Sequence, residues 1–274
     1  MKVSNHIYKF FADYIYKHTG ITYLEKDYYR LDSRFKDLMD FFELDSVDEL
    51  YNKYKASISP DMHAVLINFS TNNETYFFRD KKPFKALTKH ILPELNTKYP
   101  MGMLNIWSCA SSTGQEPVSI LMQLKDHAGK DFTRVNIKAS DISERALSKA
   151  KVGIYNGLDI QRGLPITLLM KHFEQEGEEN SWKISSDILS KINYFSFNLL
   201  TDSFPKASYH VIFCRNVLIY QDMDNKREIL KNMFDALKPG GYLLLGNGES
   251  LIGISVPFEK ESYDGLTLYR KPVE

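Results

Sequence analysis

In this chain, polar side chains of several types each arrive at or soon after the end of a short apolar run. Glu116 follows Leu104–Trp107, Asp141 follows Val135–Ala139, Asn198 follows Tyr194–Phe197, and Arg215-Asn216 follow His210–Cys214. If those runs are parallel strands, these groups meet outside the carboxyl edge of one sheet, where open α/β sheets bind ligands. Core packing does not account for such a convergence. Asp141 ends the second run, the usual place for an acid that hydrogen-bonds the ribose hydroxyls of an adenosine ligand. The first run continues into the turn Cys109-Ala110-Ser111-Ser112-Thr113-Gly114, with a helix opening near Pro117. Gly114 is the only glycine of that turn, so it lacks the G-x-G-x-x-G approach to a pyrophosphate, and it lacks the lysine of a P-loop. A phosphate-free adenosine such as S-adenosylmethionine (SAM) fits better. The competing reading is an ordinary strand–helix connection with no ligand.

Composition narrows the class. With 274 residues, 43% hydrophobic and 13% aromatic, the chain can build a domain of ordinary size plus a smaller one. Its formal net charge is zero, so no overall field draws it to nucleic acid or an acidic membrane. No apolar run reaches about 18 residues, so no membrane span is expected. MKVSNHIYKFF lacks the apolar core of a signal peptide. Cys109 and Cys214 sit at the ends of expected parallel strands and read as reduced thiols of a cytoplasmic protein. A catalytic thiol is the alternative, but no histidine is placed by sequence to activate one. The histidines show no ligand spacing, so no metal is expected.

The elements that must position these groups begin with helices. Ile7, Phe10, Phe11, Tyr14 and Ile15 form one apolar stripe, and Leu31, Phe35, Leu38, Met39 and Phe42 a second. Ser46 with Glu49 caps a third helix, and Ser59-Pro60 opens a fourth. On the second helix Lys26, Arg30 and Arg34 are spaced four apart, so they share one face. A solvated surface is the plain alternative, with Asp32, Asp37 and Asp40 nearby. Between the helices and the sheet, Thr71–Asp80 (TNNETYFFRD) has the composition of a ligand wall rather than a linker, with Phe77 and Phe78 packing inward. Strands and helices then alternate, which predicts a parallel sheet with right-handed crossovers. The alternation breaks at Gly153–Lys191, a stretch with the acidic run Glu174–Glu179 and the strand candidate Trp182-Lys183-Ile184. It reads as an inserted subdomain with a small antiparallel sheet whose edges could take a peptide strand. After the strand His210–Cys214, a helix ends at Lys238-Pro239-Gly240-Gly241. Further strands follow at Tyr242–Leu245 and Leu266–Tyr269.

The segments TNNETYFFRD, WSCASSTGQEPVSI, ASDIS, FNLL, IFCRNVLIY and LKPGGYLLLGNGESL, in this order, resemble the chemoreceptor glutamate O-methyltransferases, the CheR family. The likeness spans nearly the whole chain. It implies a Rossmann-like SAM-methyltransferase α/β fold with a small all-helical N-terminal domain (1–70) and a connecting segment (71–99). A methyltransferase domain (100–274) would follow, carrying an inserted antiparallel β subdomain at about 156–193. It implies cofactor contacts from Asn73, Thr75, Arg79, Glu116, Asp141, Asn198, Leu199, Arg215 and Asn216, and a catalytic position beside the transferred methyl for Tyr220. In that scheme Asn198 offers an amide to adenine and Leu199 packs on the ring. Glu116, Asn73 and Thr75 suit the amino acid moiety, and Arg79 its carboxylate. Gln115 stands where relatives more often have an acid. An arginine that some relatives carry before the first strand has no clear counterpart, Lys89 and Lys98 being the nearby candidates.

The activity so implied is transfer of the SAM methyl to receptor glutamates, giving methyl esters and S-adenosylhomocysteine. Such a reaction needs alignment and exclusion of water rather than a general base. The implied partners are cytoplasmic receptor helices, docked on Lys26, Arg30 and Arg34, and a receptor C-terminal tail peptide at the β subdomain. A monomer is expected, not membrane-embedded and without nucleic acid. The rival readings are a SAM-binding sensor or scaffold without turnover and a methyltransferase with another acceptor.

Overall fold

The computed structural model describes residues 3–129, 131–177 and 180–273. Of the acidic run Glu174–Glu179, Glu178 and Glu179 lie outside the described residues. The N-terminal region folds as α1 (Asn5–Thr19), a 3-10 segment Glu25–Leu31, α2 (Asp32–Phe42), α3 (Val47–Ala56) and α4 (Pro60–Ser70). The anticipated caps form: Ser46 accepts from Glu49 N–H and Ser59 from Met62 N–H. Its core gathers Ile7, Phe11, Ile15, Leu31, Phe35, Leu38, Leu50, Tyr54 and Leu66. The second segment is not one α-helix, which corrects the premise of a shared basic face. Lys26 and Arg30 sit on the 3-10 segment and Arg34 on α2. At three residues per turn, positions four apart diverge by about 120°.

Residues 71–81 are irregular and lead into α5 (Lys82–Ala86), which passes through a π turn at Leu87–Ile91 into α6 (Leu92–Lys98). The turn immediately precedes Pro93, whose missing N–H breaks the regular ladder. The sheet domain then runs β1 (Leu104–Cys109), α7 (Gln115–His127), α8 (Asp131–Arg134), β2 (Val135–Asp141) and α9 (Glu144–Val152). The insert follows: β3 (Ile154–Asn156), α10 (Gly157–Gln161), α11 (Ile166–His172), β4 (Phe173–Gln175), β5 (Ser181–Ile184) and α12 (Ser186–Leu189). The main sheet resumes with β6 (Ile192–Ser196), β7 (Tyr209–Cys214), a 3-10 turn at Leu218–Tyr220, α13 (Met223–Ala236), β8 (Leu237–Leu245), β9 (Glu259–Tyr263) and β10 (Leu266–Arg270). Ile192 pairs with Ile137 in the main sheet, so the small antiparallel sheet closes before residue 192.

The main sheet has the order β6-β2-β1-β7-β8-β10-β9, and the insert β3-β5-β4. The five strands from β6 to β8 are parallel, while β10 and β9 are antiparallel. The chain steps outward from β1 through β2 to β6, then crosses back to β7 on the other side of β1. The switch point therefore lies between β1 and β7. Cys109 pairs with both Ser140 and Cys214, Asp141 with Ser196, and Cys214 with Leu245. That register levels the carboxyl ends along one rim. Lys238–Gly241 does not precede β8 but bulges within it, because Tyr209 opposes Leu237 while Val211 already opposes Tyr242. One sheet face packs Ile106, Val118, Leu121 and Phe213, the other Trp107, Ile212, Met233 and Leu243. No helix among the described residues is long and apolar enough to cross a membrane.

Candidate active site

The turn after β1 is built around Asp141. Ala110, Ser112 and Gly114 take positive φ values of 53°, 52° and 92°, which folds the turn tightly over the ends of β1 and β2. A Cβ at Gly114 would meet the Tyr194 hydroxyl at 2.7 Å, so only glycine fits. One Asp141 oxygen accepts from Ser112 N–H at 2.8 Å and the other from Ser143 N–H at 2.9 Å. Burial pushes the Asp141 carboxyl above its ordinary pKa, and the backbone N–H groups of Ser143, Ser112 and Ile142 oppose that shift.

Arg215 ties the other side of the switch point together. Its guanidinium donates to Glu116 Oε2 at 2.8 Å, to Asp80 Oδ2 at 2.7 Å and to the Arg79 carbonyl at 2.7 Å. The side chain is 1% exposed. Glu116 also accepts from Ser108 Oγ at 2.8 Å. These interactions lock three segments in place, and Arg215 also lines the cavity expected to hold the cofactor.

The segment from Thr71 to Arg79 forms the third wall. Phe77 and Phe78 are buried, as their pairing implied. Ser112 Oγ donates to the Asn73 carbonyl at 2.8 Å, and Arg162 donates to Glu74 at 2.8 Å. The Tyr76 ring faces both guanidiniums, Arg162 at 4.2 Å and Arg79 at 5.6 Å. Arg79 donates to the Glu74 carbonyl and makes no ion pair among the described residues. Gly163 packs against this segment so closely that a Cβ would lie 2.1 Å from the Phe77 carbonyl oxygen.

The N-terminal domain closes the cavity. Asn198 Nδ2 donates to the His18 carbonyl at 2.8 Å, and its Oδ1 accepts from Leu200 N–H at 3.0 Å. The Asn198 amide is thus tethered to α1, with one N–H left for another acceptor. Gln221 donates to the Thr19 carbonyl, Thr22 N–H to the Tyr220 carbonyl, and Tyr16 to Asp222. Asn216 has φ 60°, with its N–H on Glu249 at 2.7 Å.

These walls enclose a cavity of about 110 Å³ that opens to solvent. Asn73, Thr75, Arg79, Glu116, Asp141, Asn198, Leu199, Arg215, Asn216 and Tyr220 all line this one space. Lys26, Arg30 and Arg34 do not. Arg34 lines an adjoining groove with Arg145 and Lys149, which shares Thr71, Asn72 and Asn73 with the cavity. Arg30 lies 5.6 Å over the Tyr23 ring. Lys89 and Lys98 are absent from the lining, and Lys98 is partly buried beside Gly240.

Sequence reasoning missed Asn72, Asp80, Thr19, Ile21, Gln221 and Glu249. Asn72 and Asp80 lie inside the quoted TNNETYFFRD segment, whereas nothing local marks Thr19 or Ile21. Both cysteines are buried, and a hydrogen bond between them together with burial pushes the Cys214 thiol up, leaving no nucleophilic thiolate there. His90, Glu94 and Glu261 cluster outside the cavity, where Arg270 and Tyr242 already engage the carboxylates.

Comparison with known proteins agrees with this geometry. The family described as CheR methyltransferase, SAM binding domain, matches residues 73–265. Chemotaxis protein methyltransferase Cher2 of Pseudomonas putida is 34% identical over 258 residues, covering 93% of this chain and 94% of the relative. Chemotaxis protein methyltransferase 1 of Vibrio cholerae is 35% identical over 261 residues, covering 94% of each chain. The corresponding protein of Pseudomonas aeruginosa is 34% identical over 274 residues, covering 98% of this chain and 99% of the relative. A sheet whose carboxyl rim gathers these side chains, matched across its length in this way, belongs to the CheR methyltransferase family.

Proposed function

We propose that this protein methylates glutamate carboxylates on cytoplasmic helices of chemoreceptors, using SAM and giving glutamyl methyl esters. The observation that carries the reading is one cavity at the switch point lined together by the buried Asp141 carboxylate, Tyr220 and Arg79. The residues suit the cofactor: Asp141 spends one lone pair of each oxygen on backbone N–H groups and keeps others for ribose hydroxyls. Leu199 and the free N–H of Asn198 suit adenine. Arg79, without a carboxylate partner, suits the methionine carboxylate, with Asn73, Thr75 and Glu116 around the amino group. Arg215 fixes Glu116, and Asn216 sits on the strained turn beside it.

SAM supplies an electrophilic methyl on a sulfonium. The acceptor carboxylate is ionised near neutral pH and needs no base. Tyr220 orients the acceptor, while Thr19 and Ile21 roof the cavity against water. Arg34, in the groove adjoining the cavity, together with Arg30 and Lys26 draws an acidic helix toward this side of the protein. The free edges of β3 and β4 suit a receptor tail peptide added as a further strand. Incubation with methyl-tritiated SAM and a chemoreceptor cytoplasmic fragment, followed by mild base, tests the reaction. Volatile tritiated methanol supports it. Base-stable label means another acceptor, and SAM binding without label means a sensor.

A further inference from the structure

The Tyr220 hydroxyl already has a partner, and that partner decides where its proton can go. Asn72 Nδ2 lies 2.8 Å from Tyr220 Oη, across 148 residues of sequence. The other end of the amide, Oδ1, accepts from Glu74 N–H at 3.3 Å. A flipped amide would set two donors against each other at Glu74, so the NH₂ must face the tyrosine. Tyr220 Oη is therefore an acceptor toward Asn72 and keeps its own proton for another group. Among the described residues nothing accepts that proton. Both side chains line the cavity.

The backbone beside each residue is held. The Asn72 segment is tied by Ser112 Oγ on the Asn73 carbonyl. The Tyr220 backbone is pinned by Thr22 N–H on its carbonyl at 3.0 Å and by its own N–H on Val217 at 3.2 Å.

We infer that Asn72 is a positioning residue for methyl transfer: it holds the Tyr220 hydroxyl so that its proton is donated to the oxygen of the acceptor carboxylate that does not attack. The inference rests on the proposed glutamate methylation. The attacking oxygen forms the new O–CH₃ bond, the CH₃–S bond breaks with its electron pair on sulfur, and no proton moves. Negative charge leaves the carboxylate as this happens. A cation bound to it would stabilise the ground state more than the transition state and slow the reaction. A neutral phenol orients the carboxylate with less of that penalty, provided its proton points at the acceptor. Asn72 secures that direction.

Initial rates with methyl-tritiated SAM and a chemoreceptor cytoplasmic fragment, with SAM affinity by calorimetry, test this. Asn72→Ala should lower kcat/KM for the fragment about 5-fold, the worth of one hydrogen bond, and leave SAM affinity within about twofold. In the Tyr220→Phe background the same change should cost less than about twofold, because the partner is already gone. Asn72→Asp should be at least about 10-fold worse than Asn72→Ala, since its carboxylate captures the Tyr220 proton and repels the acceptor. An equal loss from Asn72→Ala in both backgrounds, an equal loss of SAM affinity, or an Asn72→Asp variant no worse than Asn72→Ala overturns the inference. If Tyr220→Phe is too slow to measure, the Asp-to-Ala comparison decides. No base-labile ester from the unaltered protein would instead refute the reaction, and with it the role given to both residues.

Discussion

Replacing Arg215 by methionine keeps the length of the side chain and deletes its charge. Glu116 and Asp80, whose side chains are 12% and 18% exposed, then lose the guanidinium they share. The Arg79 carbonyl loses a donor as well. Removing one partner of a buried ion pair costs about 3–5 kcal/mol, and the orphaned carbonyl adds about 1 kcal/mol. A total of about 4–6 kcal/mol is a large share of the stability of an ordinary domain. At roughly 2–4 °C per kcal/mol in a chain of this size, the melting temperature should fall by about 8–24 °C. Arg215→Lys should lie between, because an ammonium reaches one carboxylate but cannot fork across three acceptors. Urea unfolding and SAM calorimetry on both variants check this. If Arg215→Met unfolds within about 0.5 kcal/mol of the unaltered protein, the range of an ordinary surface change, and yet loses SAM affinity, the reasoning fails. The guanidinium would then act on the ligand rather than on its neighbours.

Reversing Arg30 and Arg34 to glutamate should raise KM for an acidic receptor fragment about 10-fold or more while SAM affinity holds, and unchanged methylation would remove the docking role. Gly163→Ala adds a Cβ 2.1 Å from the Phe77 carbonyl at φ 84°, so it should cost about 2–3 kcal/mol of stability. Gly177→Ala, at φ 64° with open space around it, should cost only the backbone strain of about 1 kcal/mol. Equal losses in thermal melts would mean that crowding at Gly163 is not felt. Asp141 titrates above an ordinary aspartate because it is buried. Its protonated form therefore favours the folded state. That contribution is full below the unfolded value of about 3.9 and is lost as pH rises through the folded value. Ribose hydroxyls need the ionised form, so SAM affinity should weaken as pH falls through the raised folded value. Affinity independent of pH down to about pH 4 would sink that assignment.

The rim was legible because strand ends leave a local signature: an apolar run followed closely by Asp141, Asn198 or Arg215, or by a small-residue turn leading to Glu116. What these groups touch was not legible. Arg215 reaches Asp80 across 135 residues and Asn198 reaches His18 across 180. Such pairs are set by how segments distant in sequence pack together, and no window of sequence contains both partners. The 3-10 segment at Glu25–Leu31 was misread because four-residue spacing of like charges does not distinguish it from α-helix. The Lys238–Gly241 bulge looked like a turn for a related reason. Proline and two glycines mark irregular backbone, but not whether the strand resumes the same ladder on both sides.

The distribution of charge bears on why the site can work without a base. Arg215 at the switch point is cancelled by Glu116 and Asp80, and Glu74 is answered by Arg162. Arg79 is the lining cation left without a carboxylate partner among the described residues, and it is assigned to the methionine carboxylate of SAM rather than to the acceptor. By contrast Arg30, Arg34, Arg145 and Lys149, also without a carboxylate partner among the described residues, lie outside the cavity lining. Methyl transfer from a sulfonium to a carboxylate consumes one charge of each sign, so a fixed cation beside the acceptor would oppose the step it was meant to assist. Unpaired cations beyond the mouth raise the encounter rate with an acidic helix and exert little field on the reacting atoms, since salt screens exposed charges over about 8–10 Å. Attraction and chemistry are thus separated in space. Moving a positive charge inward, as in Asn72→Lys, should tighten acceptor binding and still lower kcat, whereas a rise in both would show that ground-state charge does not limit the reaction.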